Sequence, residues 1–237
     1  MSHLIDRGTY VEYNYGQMSP DWFGVKKGKL SSSSFGAAAG VDKYQPKEQL
    51  TFKIKNERRT LLGLPEIESH EEVVVNKQSE EDKLRHTTRG IVTEPTARQW
   101  FEKKYDCDVK AIGFAVPKWN TDIGCSPDGA VYEGEELIHL IEIKCPEHMP
   151  HLLVEFENHR KNNTLPELDE YYHGHIYPSH YAQIQGCLAI LDCEYNYYIV
   201  YCPNENKCIV NKIRRNRKYW EEFLYPNILE VLEKSRP

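Results

Sequence analysis

Two carboxylates and an ammonium stand where they could converge: Asp128 in Cys125-Ser126-Pro127-Asp128-Gly129, and Glu142 and Lys144 in Glu-Ile-Lys. Carboxylates brought to one point repel unless a cation lies between them. Hard oxygen ligands with room for water favour Mg²⁺, with Mn²⁺ as a substitute. A neighbouring ammonium can orient a water at such a site or help deprotonate it. The plainer account of a bare Glu-x-Lys is a buried ion pair. What shifts the balance is the partner segment carrying Asp128.

Position depends on two elements. Leu137–Lys144 (LIHLIEIK) is short and rich in branched apolar residues, which predicts a strand. Alternation puts Ile138, Leu140, Glu142 and Lys144 on one face, and Leu137, His139, Ile141 and Ile143 on the other. Both faces are mostly apolar, as in a strand covered on both sides. A Glu and a Lys at its end are costly unless something uses them. Ser126-Pro127-Asp128-Gly129 is good turn chemistry. If Ala130-Val131-Tyr132 pairs with 137–144 as a hairpin, Asp128 lies beside Glu142 and Lys144.

The rest of the chain supplies the frame. Residues 1–16 are polar and tyrosine-rich, with no clear period. Ser19 and Pro20 start a short helix with Trp22, Phe23, Val25 and Lys26, ending near Gly28. Ser31–Ser34 cap a second helix reaching about Ala39. Lysines before helix-starting serines could hold a phosphate, although ordinary capping and a solvated lysine face explain this stretch more simply. Residues 46–63 read as a helix with Lys53, Lys55, Arg58 and Arg59 exposed. Asp82–Tyr105 reads as a longer helix, broken near Glu94-Pro95, with Ala97, Trp100, Phe101 and Tyr105 inward. Val109–Val116 is predicted as one strand, followed by a meander through 123–125, 130–132 and 137–144 that Cys145-Pro146 ends. A helix is expected at His151–His159. Ser179–Leu191 is amphipathic, with Gln183 and Gln185 at the margins of its apolar stripe. Two strands, 194–201 and 208–213, and a helix from Tyr219 to Glu233 kinked at Pro226 close the chain. The order gives an α/β (α+β) fold with a mixed central sheet.

Composition bounds the class. The chain has 237 residues, 40% of them hydrophobic, enough for one core-bearing domain. It has no apolar run of about 18 residues and no signal-like N-terminus, so no membrane is expected. Seven cysteines, an odd number without a tight framework, point to a reducing compartment, the cytoplasm or nucleus of a host cell. The net charge of −6 does not advertise a nucleic-acid binder, but local basic patches are compatible with it. Lys53, Arg58, Arg85 and Arg214–Lys218 are the candidates; a solvated turn explains the last run equally well. Much of the acidity sits in 65–82, to which no function is assigned.

Pro-Asp, a spacer and Glu-x-Lys resemble the PD-(D/E)XK nucleases. With the flanking motifs the chain resembles, over most of 19–235, the lambda-exonuclease-like viral recombinase family. The motifs are Trp22, Lys26, Gly28 and Ser33; Gly90, Glu94, Ala97 and Arg98; Cys125–Gly129 and Glu142–Pro146; and Tyr181-Ala182-Gln183-Ile184-Gln185. The resemblance implies a restriction-endonuclease-like core in one nuclease domain, with 1–18 an extension, 19–63 a helical part that binds DNA ends, and 86–235 the catalytic core. It implies that Asp128, Glu142 and the Ile143 carbonyl bind metal, and that Glu94 holds a second metal or its waters. Lys144 would position or activate the attacking water and Gln183 would orient the nucleophilic side. Lys26, Ser33, Ser126 and Arg85 would hold DNA phosphate. Lys26 stands where the family commonly has Arg, which forks around a phosphate as Lys does not. The implied activity is Mg²⁺-dependent 5′-to-3′ digestion of double-stranded DNA, leaving 3′ overhangs for recombination. The implied partners are DNA ends, a single-strand-annealing protein and two further copies in a homotrimer. Three alternatives stay open: an endonuclease or RNA-degrading nuclease on the same scaffold, a binding module without chemistry, and a zinc protein using Cys145 with His148, His151, His159, His173, His175 and His180.

Overall fold

The computed structural model describes residues 3–68, 80–147, 176–205 and 207–237. Its centre is a five-stranded sheet in the order β10-β9-β8-β7-β4. The strands are β4 (Val109–Lys110), β7 (Gly129–Glu133), β8 (Glu136–Lys144), β9 (Tyr195–Cys202) and β10 (Lys207–Arg214). β8 and β9 run parallel; the other pairs in this sheet are antiparallel. The expected hairpin is present, with Gly129 opposite Ile141 and Ala130 opposite Leu140.

Helices cover both faces. On one lie α2 (Phe35–Ala38), α3 (Lys47–Leu61), α5 (Pro178–Ile190) and α6 (Tyr225–Lys234). Their apolar side chains share a core with Leu140, Tyr198 and Val200. On the other lies α4 (Glu80–Tyr105), whose Ala97 and Phe101 pack on Ile141, Ile143 and Ile199. β8 is therefore covered on both sides, as its two apolar faces require. A helix α1 (Pro20–Lys26) is capped by Ser19, whose Oγ accepts from the Trp22 N–H, and Gly28 follows it at φ +74°.

Several expectations are corrected. Residues 1–16 are not irregular throughout: β1 (Leu4–Asp6) and β2 (Tyr10–Tyr13) join β5 (Phe114–Pro117) in a second sheet. The single strand expected at 109–116 is two strands in different sheets. The chain changes sheet at Gly113, where a Cβ would come within 2.0 Å of the Tyr13 carbonyl oxygen. β6 (Ile123–Gly124) leaves the meander to pair in parallel with β3 (Leu30–Ser31). α4 runs unbroken through Pro95. Ile91 and Val92 there are exposed, so water can take the carbonyl that proline leaves without a donor. Tyr105 is exposed rather than inward. Gln185 lies in the core, where it donates to the Arg214 carbonyl and accepts from the Asn216 N–H. In place of a kink at Pro226, a π-helical stretch, Tyr219–Leu224, runs into α6 with helical backbone at the junction. The helix expected at 151–159 lies outside the described residues.

Candidate active site

The site forms where β8 ends, on the face that carries α5. Asp128 closes the turn into β7. Its backbone N–H donates to the Ile141 carbonyl (3.1 Å), and its Oδ2 accepts from the Ile143 N–H (2.7 Å). Glu142 and Lys144 share their face of β8 with Leu140. Lys144 Nζ donates to Glu142 Oε1 at 2.6 Å. Gln183 on α5 donates from Nε2 to the same oxygen (2.8 Å), and its Oε1 lies 3.4 Å from Lys144 Nζ. Glu94 arrives from α4. Arg98, one turn on, donates from Nη2 to Glu94 Oε1 (2.8 Å) and to the Asp128 carbonyl (2.6 Å).

The electrostatics are those of crowded acids. Glu142 is 1% exposed. Burial and then the Asp128 charge push its carboxyl up to about 8, against the pull of Lys144. Burial also raises Asp128, and burial followed by the Asp128 charge raises Glu94. Burial pulls the Lys144 ammonium down, but Glu142 and Asp128 outweigh it, so its pKa lies above the ordinary lysine value. Glu142 Oε2 is buried with no hydrogen-bond partner. A buried carboxylate oxygen left without a donor is expensive.

These residues fit a divalent cation. The donors are hard oxygens, their mutual repulsion would fall on binding one, and Glu142 Oε2 lacks a partner. Asp128, Glu142 and the Ile143 carbonyl are the candidate ligands. Among the described residues, no three His, Cys, Asp or Glu side chains form a ready-made ligand cluster. Arg98 engages the Glu94 carboxylate.

Ser33 is exposed, shares a hydrogen bond with Ser31 (2.9 Å) and lines a cavity of about 350 Å³ together with Lys144 and Gln183. Ser126 and Lys26 are not among that cavity's lining residues. Gln17 donates to Ser126 Oγ (3.1 Å). Lys26 Nζ sits 3.7 Å from the Trp22 ring centroid. Burial, then Lys53, lowers its pKa to about 8, against Glu57. Arg85 belongs to α4, but its side chain lies outside the described residues. Of the other basic candidates, Arg58 is not on an exposed side as expected. It donates to the Gly28 and Leu232 carbonyls and pairs with Asp122. Arg215 pairs with Asp192, and Arg217 with Glu194.

Of the zinc candidates, His180 Nδ1 is 2.8 Å from the Tyr198 hydroxyl, and Cys145 and the other six cysteines are free. His148, His151, His159, His173 and His175 lie outside the described residues. The sequence reading assigned no task to Arg98 or Gln17. The Glu94–Arg98 spacing of four on one helix was the available signal; Gln17 offered none.

No curated protein matches the chain. Among solved structures it is similar to an alkaline exonuclease, LHK-Exo, from Laribacter hongkongensis. Identity is 20%, the match covers 92% of each chain, and the TM-score is 0.61. The same enzyme in complex with dAMP matches at 20% identity over 92% of each chain, with a TM-score of 0.62. That likeness establishes a shared fold. A model of the YqaJ-like viral recombinase domain matches residues 21–194, and the chain belongs to that family.

Proposed function

We propose that the chain is a Mg²⁺-dependent exonuclease that digests double-stranded DNA from 5′ to 3′ and leaves 3′ single strands for recombination. Family membership makes it a nuclease, a phosphodiesterase of a kind that uses divalent metal. The observation that supports cation-dependent cleavage is the hairpin that sets Asp128 beside Glu142 and Lys144, with Gln183 bridging from α5.

When bound, the cation would supply positive charge against the phosphate and make water a better nucleophile. The chain's own groups do the rest. Asp128 and Glu142 would hold the cation, with the Ile143 carbonyl as a further donor. Lys144 positions or activates the attacking water from beside Glu142. Gln183 fixes both Glu142 Oε1 and the Lys144 ammonium. Arg98 steadies Glu94 and the Asp128 turn. Ser33, Lys26, Ser126 and Arg85 remain the groups proposed to hold DNA phosphate, within an end-binding part spanning 19–63. LHK-Exo, which shares this fold, has been solved in complex with dAMP, which supports a nucleotide as ligand. A homotrimer and a single-strand-annealing partner belong to the same proposal.

The test is digestion of linear duplexes with 5′-phosphate, 5′-hydroxyl and 3′-labelled ends, with Mg²⁺, Mn²⁺ or chelator, alongside closed circles and RNA. Release of 5′ nucleotides from linear DNA, abolished by chelator, is expected. Equal cutting of circles, or preference for RNA, would overturn the reading in favour of an endonuclease or RNA-degrading nuclease.

A further inference from the structure

The cavity beside Lys144 and Gln183 has walls that the catalytic groups do not account for. Lys43, Tyr44, Tyr177 and His180 line it. Lys43 Nζ lies 4.6 Å from the Tyr44 ring centroid and 5.6 Å from that of Tyr177. One ammonium thus reaches both rings. Both walls are held in place. Asp42 Oδ1 accepts from the backbone N–H groups of Tyr44 (2.7 Å) and Gln45 (3.1 Å), which fixes the loop ahead of α3. Across the cavity, Tyr177 meets His180 edge-on at 5.2 Å and 84°, and His180 Nδ1 is 2.8 Å from the hydroxyl of Tyr198. Tyr198 is fully buried in β9. Tyr44 itself is 46% exposed, so its ring is open to a ligand in the cavity.

We propose that Tyr44 and Tyr177 form a slot that stacks the base of a nucleotide whose phosphodiester lies at Lys144 and Gln183. The inference rests on the nuclease reading above and names the part of the substrate that this site grips. Aromatic faces take any base, because every base has a π face. The slot therefore senses whether a base is present and is indifferent to which one.

The experiment removes the base and the ring in turn. Full-length protein digests linear duplexes whose terminal nucleotides are normal or abasic. The proteins compared are the wild type, Tyr44→Leu, Tyr177→Leu, and the ring-keeping Tyr44→Phe and Tyr177→Phe. The wild type should lose about tenfold in kcat/KM on abasic ends, carried mainly by KM. The leucine variants should lose a similar factor on normal ends and show little further loss on abasic ones. The phenylalanine variants should behave as the wild type. An abasic penalty that is unchanged in both leucine variants, or absent from the wild type, would overturn the slot while leaving the nuclease reading intact. If no duplex is digested by the wild type, the nuclease reading falls instead. Titration calorimetry with dAMP against 2-deoxyribose 5-phosphate then decides the slot alone. dAMP should bind about tenfold more tightly to the wild type and with no advantage to Tyr44→Leu; equal affinity for the two ligands in the wild type would overturn it.

Discussion

At the scale of single residues, the acids at the end of β8 are held against their own preference. Glu142→Gln or Asp128→Asn should lower nuclease activity by roughly 10³-fold or more, because carboxylates hold cations far better than amides do. Thermal melting of Glu142→Gln should stay cooperative, since the amide oxygen still accepts from Lys144 and Gln183 at nearly the same volume. A near-normal digestion rate in either variant would sink the assignment. Burial and Asp128 raise the folded-state pKa of Glu142 to about 8 from its ordinary 4.5. As pH rises, the unfolded chain gives up this proton first. Stability of the cation-free protein should therefore fall between about pH 4.5 and 8, by up to roughly 5 kcal/mol. Urea unfolding across that range, with and without Mg²⁺, checks it; the cation should flatten the fall. Asp128, Glu142 and Lys144 were legible in the sequence because strand alternation and a Pro-Asp-Gly turn fix where they point. Tyr44 and Tyr177 were not, because they come to line one cavity only when the loop before α3 folds beside the start of α5.

At the scale of elements, α2 and α5 touch through glycine. A Cβ on Gly36 would stand 2.7 Å from the Ser179 Cα, and one on Gly186 would fall within 2.4 Å of the Phe35 ring. Gly36→Ala should cost about 1–3 kcal/mol in urea unfolding, since the clash is with backbone that has little freedom to yield. It should also weaken activity, because it pries the serine-bearing turn from the helix that carries Gln183. A stability within about 0.5 kcal/mol of the wild type would show that the two helices can part freely. The long helices and the 137–144 strand were readable from periodicity. The exchange of sheets near Gly113 was not, because a strand's partner is a tertiary choice and alternation runs on regardless. Pro95 misled for a related reason: contacts of Ala97 and Phe101 with the sheet keep α4 continuous through it.

At the scale of the whole molecule, the net charge of −6 has to be reconciled with DNA. Arg58, Arg215 and Arg217 are already engaged by acids. Lys27 and Lys53 line a second cavity of about 700 Å³, which Tyr44 also borders. DNA binding should therefore weaken with salt through those lysines. Lys27→Ala should reduce the slope of log K against log salt by about 0.9, and Lys53→Ala by less, because the Lys53 ammonium already stands 3.8 Å from Glu57. Arg215→Ala and Arg217→Ala should leave it unchanged. Fluorescence anisotropy over a salt series measures both, and a slope sensitive to the arginines instead would place DNA on the opposite side. Mixed-sheet architecture was legible from the order of elements. Which basic residues stay unneutralised was not, because ion pairing depends on neighbours remote in sequence.

β8 and β9 run parallel, so the chain must travel back along the sheet between them, and α5 lies on that return path. Lys144 therefore meets Gln183 only after the whole detour has closed. A chain caught partway, with its hairpin already paired, would carry the acids but lack their clamp. Digestion of DNA would then recover in step with the slowest phase of refolding, later than the pairing of the hairpin itself.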